Sequence, residues 1–333
     1  MKRENVYLSS SPRYDWLEDA LLTVCQNAFP RESVLRVHSL TRRMQRIGAH
    51  NDYEFILQLT DAEIRLALRL YQGIFSLWGF SDRAKSTRAC RAMSLAYQAG
   101  VPAPFPYAFT SQRIPFGKPY VLHDPGDGRR WWDVEDSLRP AQSQLASSMA
   151  EELVKLHYTV EPDLQRIPAV KAGGVLQQIW NRISNIADDE LTHCFEQALR
   201  IFHEEEGQAA AMLHGQFDLD HLLIKNSVIR TITDWEFAAF GDPRWDVAYA
   251  SLSLQQKGDH SLSNLFVAHY ANLSQQPLEH LPLWEGLVAL RDWALCVWLE
   301  SLDKKSFLSI AGLQTPLISK KDVMRNHALQ VFH

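Results

Sequence analysis

The sequence predicts an α+β chain in two parts, a small antiparallel sheet followed by a larger, mainly helical body. Three observations carry that expectation. Apolar and other residues alternate in two adjoining runs between residues 53 and 70. From about residue 140 the apolar residues recur instead at three- and four-residue intervals. Late in the chain, short apolar runs at residues 222–224 and 228–232 flank Lys225-Asn226-Ser227, which is the pattern of a hairpin.

Composition narrows the class. A chain of 333 residues is comfortable for two lobes. With 46% hydrophobic and 22% charged residues it has the profile of a globular protein. A formal charge of -5 and no basic stripe argue against a nucleic-acid surface. Cys25, Cys90, Cys194 and Cys296 lack paired spacing, so they read as small core residues rather than zinc ligands or disulfides. No signal-peptide pattern opens the chain, and no apolar run approaches the ~20 residues a bilayer span needs. The expectation is a soluble, cytoplasmic protein with no membrane and no nucleic-acid partner.

In order, residues 13–29 read as an amphipathic helix with Leu17, Leu21 and Val24 on one face. Gly48 lies in the loop before the first strand, residues 53–59. In the second strand, residues 64–70, Ile64, Leu66, Leu68 and Leu70 face one way, and Arg65, Ala67 and Arg69 the other. Residues 82–99 read as a helix with Asp82 as cap and Gly100 as stop. After Asp82 this helix has no acid, only Arg83, Lys85, Arg88 and Arg91 among its charges. An apolar run at 118–126 is broken by Pro and Gly. Trp131 and Trp132 follow Arg129 and Arg130, suited to packing between the two parts or to stacking on a ligand. Leu145, Met149, Leu153 and Leu156 mark a helix, a long helical region runs from 174 to 204, and Trp284, Leu287, Arg291, Ala294 and Trp298 mark another. The acid run Glu204-Glu205-Glu206 reads as a solvated helix end.

The stretch from Leu213 to Asp246 carries the chemistry. A tight hairpin sets its two ends side by side, so His214, Gln216, Asp218, Asp220 and His221 meet Asp234 and Glu236. Carboxylates, imidazoles and an amide in one small region suit metal and phosphate chemistry. The stretch resembles the catalytic and metal-binding segment of the aminoglycoside phosphotransferase and choline kinase families. His214-Gly215, Asp234-Trp235-Glu236, Gly241-Asp242-Pro243 and Asp246 stand in the family register. Gln216 stands where the family has its catalytic Asp, and His221 where it usually has a metal-binding Asn.

The resemblance implies a two-lobed, protein-kinase-like fold. Residues 1–125 would form the nucleotide-binding lobe and 126–333 the helical lobe, with the hairpin region at 213–246. It implies ATP (or GTP) with magnesium, manganese being possible, and a small-molecule acceptor bearing a hydroxyl. Gln216, Asp218 and His214 would make up the catalytic loop. Asp234 and His221 would hold the metal. Arg69 would grip phosphate, with Gly48 in a phosphate-covering turn, while the backbone around Val121 and His123 would meet the adenine. Several readings stay open on the residues themselves. Arg69 fits a solvated strand cation equally well, His221 fits a hydrogen-bonded loop residue, and Asp234 also fits a turn acid. His214 and Asp246 fit bracing roles, and His157 fits a structural one. An amide cannot take a proton at neutral pH, so two functions are expected from Gln216: a weakened kinase, or a kinase-like module that binds without efficient transfer. Asp218 or Asp220 are the alternative bases.

Overall fold

The computed structural model describes residues 15–43, 50–71, 82–135, 139–160, 167–204, 211–301 and 320–333. Helix α1 (Asp15–Ala28) precedes strands β1 (Val34–Arg43), β2 (His50–Leu59) and β3 (Glu63–Tyr71). Helix α2 (Asp82–Gln98), β4 (Pro106–Thr110) and β5 (Tyr120–His123) complete the first lobe. The sheet order is β1-β2-β3-β5-β4, with every neighbouring pair antiparallel.

Pleating gives this sheet two different faces. Phe55, Leu57, Leu66, Leu68 and Leu70 pack with Leu17, Leu21 and Cys25 of α1 into one apolar cluster. The expected alternation in β3 is therefore realised. The opposite face, carrying Ala67, Arg69 and Tyr71, is covered as well, because α2 and the second lobe close over it. Arg69 is only 7% exposed, so the reading of a solvated strand cation is overturned.

The second lobe begins with β6 (Arg129–Arg130), which pairs with the hairpin β8 (Leu222–Lys225) and β9 (Val228–Ile232). Asn226 and Ser227, both at positive φ, form its turn. A second short ladder joins β7 (Ala211–Leu213) to β10 (Ala239–Gly241). Around these lie α3 (Gln142–Thr159), α4 (Ala172–Ile183), α5 (Asp189–Glu204), α6 (Arg244–Gln256), α7 (His260–Ser274), α8 (Leu281–Glu300) and α9 (Lys321–Phe332). The expected helical region of 174–204 is thus two helices, the second capped by Asp188 accepting from the Leu191 N–H at 2.9 Å.

Leu145, Met149, Leu153 and Leu156 of α3 are fully or almost fully buried in a cluster that also takes in Ala89, Met93 and Ala96 of α2. Helix α2 thereby shares the core of the second lobe, together with Tyr71 of β3 and Val121 of β5. All four cysteines are buried, and burial pushes the Cys25 thiol up to about 12. No helix among the described residues is long and apolar enough to cross a membrane. Trp131 packs against the second-lobe cluster with the Arg139 guanidinium 5.1 Å from its ring centre, which favours the packing role over stacking on a ligand. Gly48 lies outside the described residues.

Candidate active site

The β7–β10 ladder places Leu213 opposite Ala239, so the loop after β7 and the turn after β9 share one small volume. Gly215 makes their approach possible. Its φ is +86°, and a Cβ there would strike the Phe237 carbonyl far inside van der Waals contact. Asp246, fully buried at the start of α6, accepts the His214 N–H at 2.6 Å and the Gly215 N–H at 2.8 Å. His157 stands 3.3 Å from the same carboxylate, and its other ring nitrogen is 2.6 Å from the Tyr270 hydroxyl. Asp246 and His157 thus have the bracing roles anticipated for them.

His214 is a brace too, and this corrects its place among the catalytic candidates. The residue is fully buried, with one ring nitrogen 2.8 Å from the Thr233 carbonyl and the other accepting the Gln216 N–H at 3.3 Å. With both nitrogens committed, and its ring 4.8 Å from that of Trp235, it has nothing to offer a reactant. The half-buried Gln216 is different. Among the described residues no protein group is hydrogen-bonded to its side-chain amide.

Asp218 is buried and its lone pairs are taken. One oxygen accepts the Asp220 N–H at 2.8 Å and lies 2.8 Å from His221; the other accepts from the Ser253 hydroxyl at 3.1 Å and lies 3.5 Å from the Lys257 ammonium. Burial alone would raise its pKa. Lys257, His221 and the hydrogen bonds more than offset that and hold the carboxyl far below the usual range. A base so weak and so enclosed does not replace the missing aspartate.

Arg69 sits at the lip, where β3 faces the second lobe. Its guanidinium meets Asp52 in a two-point fork with both bonds at 2.9 Å, reaches Glu236 at 3.2 Å, and forms an ion pair with Asp234. Burial opposes the charge, but the three carboxylates hold its pKa well above the usual value. The acid missing from α2 is supplied by a strand: Asp52 lies directly opposite Arg69 in the β2–β3 register. That register was the signal that could have found it, since the short connection Thr60-Asp61-Ala62 after Leu59 fixes the pairing in the hairpin. Arg88 of α2 instead binds the Glu236 carbonyl through two nitrogens, at 2.5 and 2.7 Å.

Asp234 adopts a left-handed conformation, φ 69° and ψ 53°, immediately after Thr233, and its carboxylate points into the cleft. Besides Arg69 it faces His221 at 3.5 Å. Burial pushes the His221 pKa down, but Asp218, Asp234 and Asp220 bring it up to about 9, so the ring is an imidazolium at neutral pH. Its ring nitrogens lie 2.8 Å from Asp218 and 3.5 Å from Asp234, so His221 stands as an ion-pair partner beside the aspartate expected to hold the metal. Asp234 fits a hard divalent cation by chemistry and position. No group of three or more metal-ligating side chains is assembled among the described residues.

The cleft is bounded by Asp52, Arg69, His123, Arg130 and Asp234 among others. Val121 lies in the interior of the sheet, paired with Arg69 on one side and Phe109 on the other. The ladders therefore take up its backbone, so the strand faces the cleft at its end instead. There His123 lines the cleft, its ring nitrogen donating to the Asp124 carbonyl at 2.5 Å. Burial first, then the nearby Arg69 charge, bring its pKa down to about 4.

Comparison with known proteins agrees with this geometry. The model of a phosphotransferase enzyme family matches residues 40–284. Acyl-CoA dehydrogenase family member 10 of Mus musculus is 25% identical over 261 residues, 70% of this chain and 24% of that protein, so the chain spans about a quarter of that relative. Among solved structures, a putative aminoglycoside phosphotransferase from Ralstonia eutropha superposes with a TM-score of 0.63 at 13% identity, covering 94% of this chain and 97% of that one. A thermostable mutant of aminoglycoside phosphotransferase APH(4)-Ia, in ternary complex with ADP and hygromycin B, gives 0.60 at 14% identity over 92% and 98%. The GDP complex of aminoglycoside 2'-phosphotransferase-IIIa gives 0.58 at 15% over 92% and 99%. At these identities the structural likenesses establish the two-lobed fold.

Proposed function

Because this chain belongs to the phosphotransferase enzyme family, we propose that it is a small-molecule kinase. It passes the γ-phosphoryl group of ATP (or GTP) to a hydroxyl of a small acceptor, at a rate limited by Gln216. The observation that carries the reading is the cleft itself, where Asp234 and Arg69 meet from opposite lobes above the loop braced by Asp246.

Phosphoryl transfer asks a protein mainly for positioning and charge compensation. The Gln216 carbonyl accepts a hydrogen bond from the acceptor hydroxyl and points its oxygen along the line of attack. The acceptor oxygen–phosphorus bond forms as the bond from the γ-phosphorus to the bridging oxygen breaks, and the diphosphate leaves. The hydroxyl proton goes to a phosphoryl oxygen or to water, since an amide does not take it. Asp234 would hold magnesium or manganese, which when bound offsets charge on the phosphates. The acids that a polycationic acceptor would seek, Asp218 and Asp220, already face Lys257 at 3.5 and 3.2 Å, which favours an acceptor without strong positive charge.

A second reading, a module that binds nucleotide without efficient transfer, is favoured by the closed state of Asp218. Two measurements separate the readings. A thermal melt with millimolar ATP and magnesium or manganese is expected to rise, as for any ligand that binds only the folded state; an unchanged melt counts against both. Turnover with a panel of hydroxylated acceptors is expected to increase about 10²- to 10⁴-fold in Gln216→Asp, the usual worth of a general base. Wild-type turnover already at ordinary kinase rates, about 1 to 100 per second, would overturn the role given to Gln216.

A further inference from the structure

The cleft is not uniform along its length. At one end Arg69 and Asp234 meet, the charged end to which the metal and the phosphates are assigned above. The other end is apolar. Ala67 lies one pleat repeat along β3 from Arg69, about 7 Å and on the same face, and Leu223 of the second lobe lines the cleft with it. Pro104 and Pro125 complete this lining. Gly126, at a φ of +79°, brings the chain down onto the second lobe, where a Cβ would meet the Leu223 side chain at 2.9 Å. A flat apolar ring suits this end of the cleft, and the anionic tail of a nucleotide the other.

One polar side chain faces the apolar end. His123 is the register partner of Ala67, so its ring lies on the same face of the sheet. Its Nδ1 stands 2.5 Å from the Asp124 carbonyl, and a carbonyl only accepts, so Nδ1 carries the proton. Burial and the nearby Arg69 charge bring the pKa down to about 4, which keeps the ring neutral at pH 7. Nε2 therefore holds a lone pair, and no protein group is hydrogen-bonded to it among the described residues. The tautomer is fixed from outside the cleft. Asp124 is tied to β4, its N–H donating to the Phe105 carbonyl at 3.0 Å and its carboxylate accepting from the Tyr107 hydroxyl at 2.8 Å. Pro125 has no N–H to give. Asp124 and Pro125 thus bring no donor to the cleft, and His123 brings an acceptor.

We infer that His123 reads the base through Nε2, and that the nucleotide taken is an adenine nucleotide rather than a guanine one. The inference rests on the nucleotide reading above, which leaves the base open. Adenine carries an exocyclic amine at C6, a donor for the Nε2 lone pair. Guanine carries a carbonyl there, and its lone pairs would face that of Nε2. A buried acceptor set against another acceptor goes unsatisfied.

The test is a calorimetric titration of the full chain, in magnesium, with ATP, GTP and purine riboside triphosphate, which is ATP without its 6-amine. Wild type is expected to bind ATP about 10- to 100-fold more tightly than either of the others, the worth of one buried hydrogen bond left unmade. His123→Leu removes the acceptor and is expected to bring ATP down to the level of purine riboside triphosphate. His123→Gln can turn either its oxygen or its N–H₂ to the base, so its ATP to GTP ratio is expected to fall toward one. Wild type that binds GTP or purine riboside triphosphate as tightly as ATP overturns the inference while leaving the nucleotide reading intact. An ATP preference that survives in His123→Leu overturns it too, and places recognition on the main chain. Wild type that binds none of the three overturns the nucleotide reading and this inference with it. If His123→Leu does not fold, His123→Gln decides: an unchanged ATP to GTP ratio overturns the inference.

Discussion

Two buried charged assemblies meet at the loop from His214 to His221, and they are constructed on opposite plans. Beneath the loop, one carboxylate, Asp246, gathers donors from two backbone N–H groups, with His157 and Tyr270 behind it. At the lip, one guanidinium, Arg69, gathers three carboxylates from two lobes. The first arrangement is a donor-matched anion, which fixes backbone geometry. The second is an excess of anions on a single cation, which fixes the relation of the lobes and keeps negative charge at the mouth of the cleft. The loop's geometry is thus secured from below, and its electrostatics are set from the side.

The largest expected effect breaks the second assembly. Arg69→Met leaves three buried carboxylates without their shared cation and should destabilise the fold by about 3–5 kcal/mol, read as a lowered denaturant midpoint. A midpoint within experimental error of wild type would show that the cluster is relaxed by solvent.

The next two effects probe the brace. Gly215→Ala puts a methyl group against the Phe237 carbonyl in a left-handed conformation. It should cost about 3 kcal/mol, with loss of any activity at temperatures where the protein is still folded. Asp246→Asn keeps the shape but sets an amide N–H₂ against donors. Leaving a buried donor unsatisfied should cost about 2 kcal/mol. A proton-exchange measurement on the His214 and Gly215 amides should show them losing protection first; uniform loss across α6 would point to global rather than local opening.

The smallest effect sharpens the comparison by pH. The His123 pKa is depressed from its ordinary value to about 4. Between about 6.5 and about 4 the unfolded chain binds a proton that the folded chain refuses, so stability falls as pH falls through that window. The loss is about 1–2 kcal/mol once solvent contact of the ring is allowed for. His123→Gln should flatten this part of the stability–pH curve and leave neutral-pH stability nearly unchanged. An identical slope in wild type and variant would remove His123 as the source.

Much of this was legible in the sequence. The alternation in residues 64–70 set β3, the Leu145, Met149, Leu153, Leu156 spacing set α3, and the two apolar runs about Asn226-Ser227 set the hairpin, because each signal is local in the chain. The resemblance in the 213–246 stretch anticipated Asp246 as a brace and Asp234 at the cleft. The partners of Arg69 were not legible. Helix α2 carries no acid where one was sought, and the substitutes come from 17 residues upstream in β2 and from 165 and 167 residues downstream. The place of His221 between Asp218 and Asp234 was likewise set by the fold.

The sequence by itself determined where strands, helices and the polar hairpin ends would lie, because periodicity, turn residues and capping act over a few residues. Only the tertiary structure decided which charges are spent on one another. Burial and long-range pairing set those energies, and neither is a property of any single stretch of the chain.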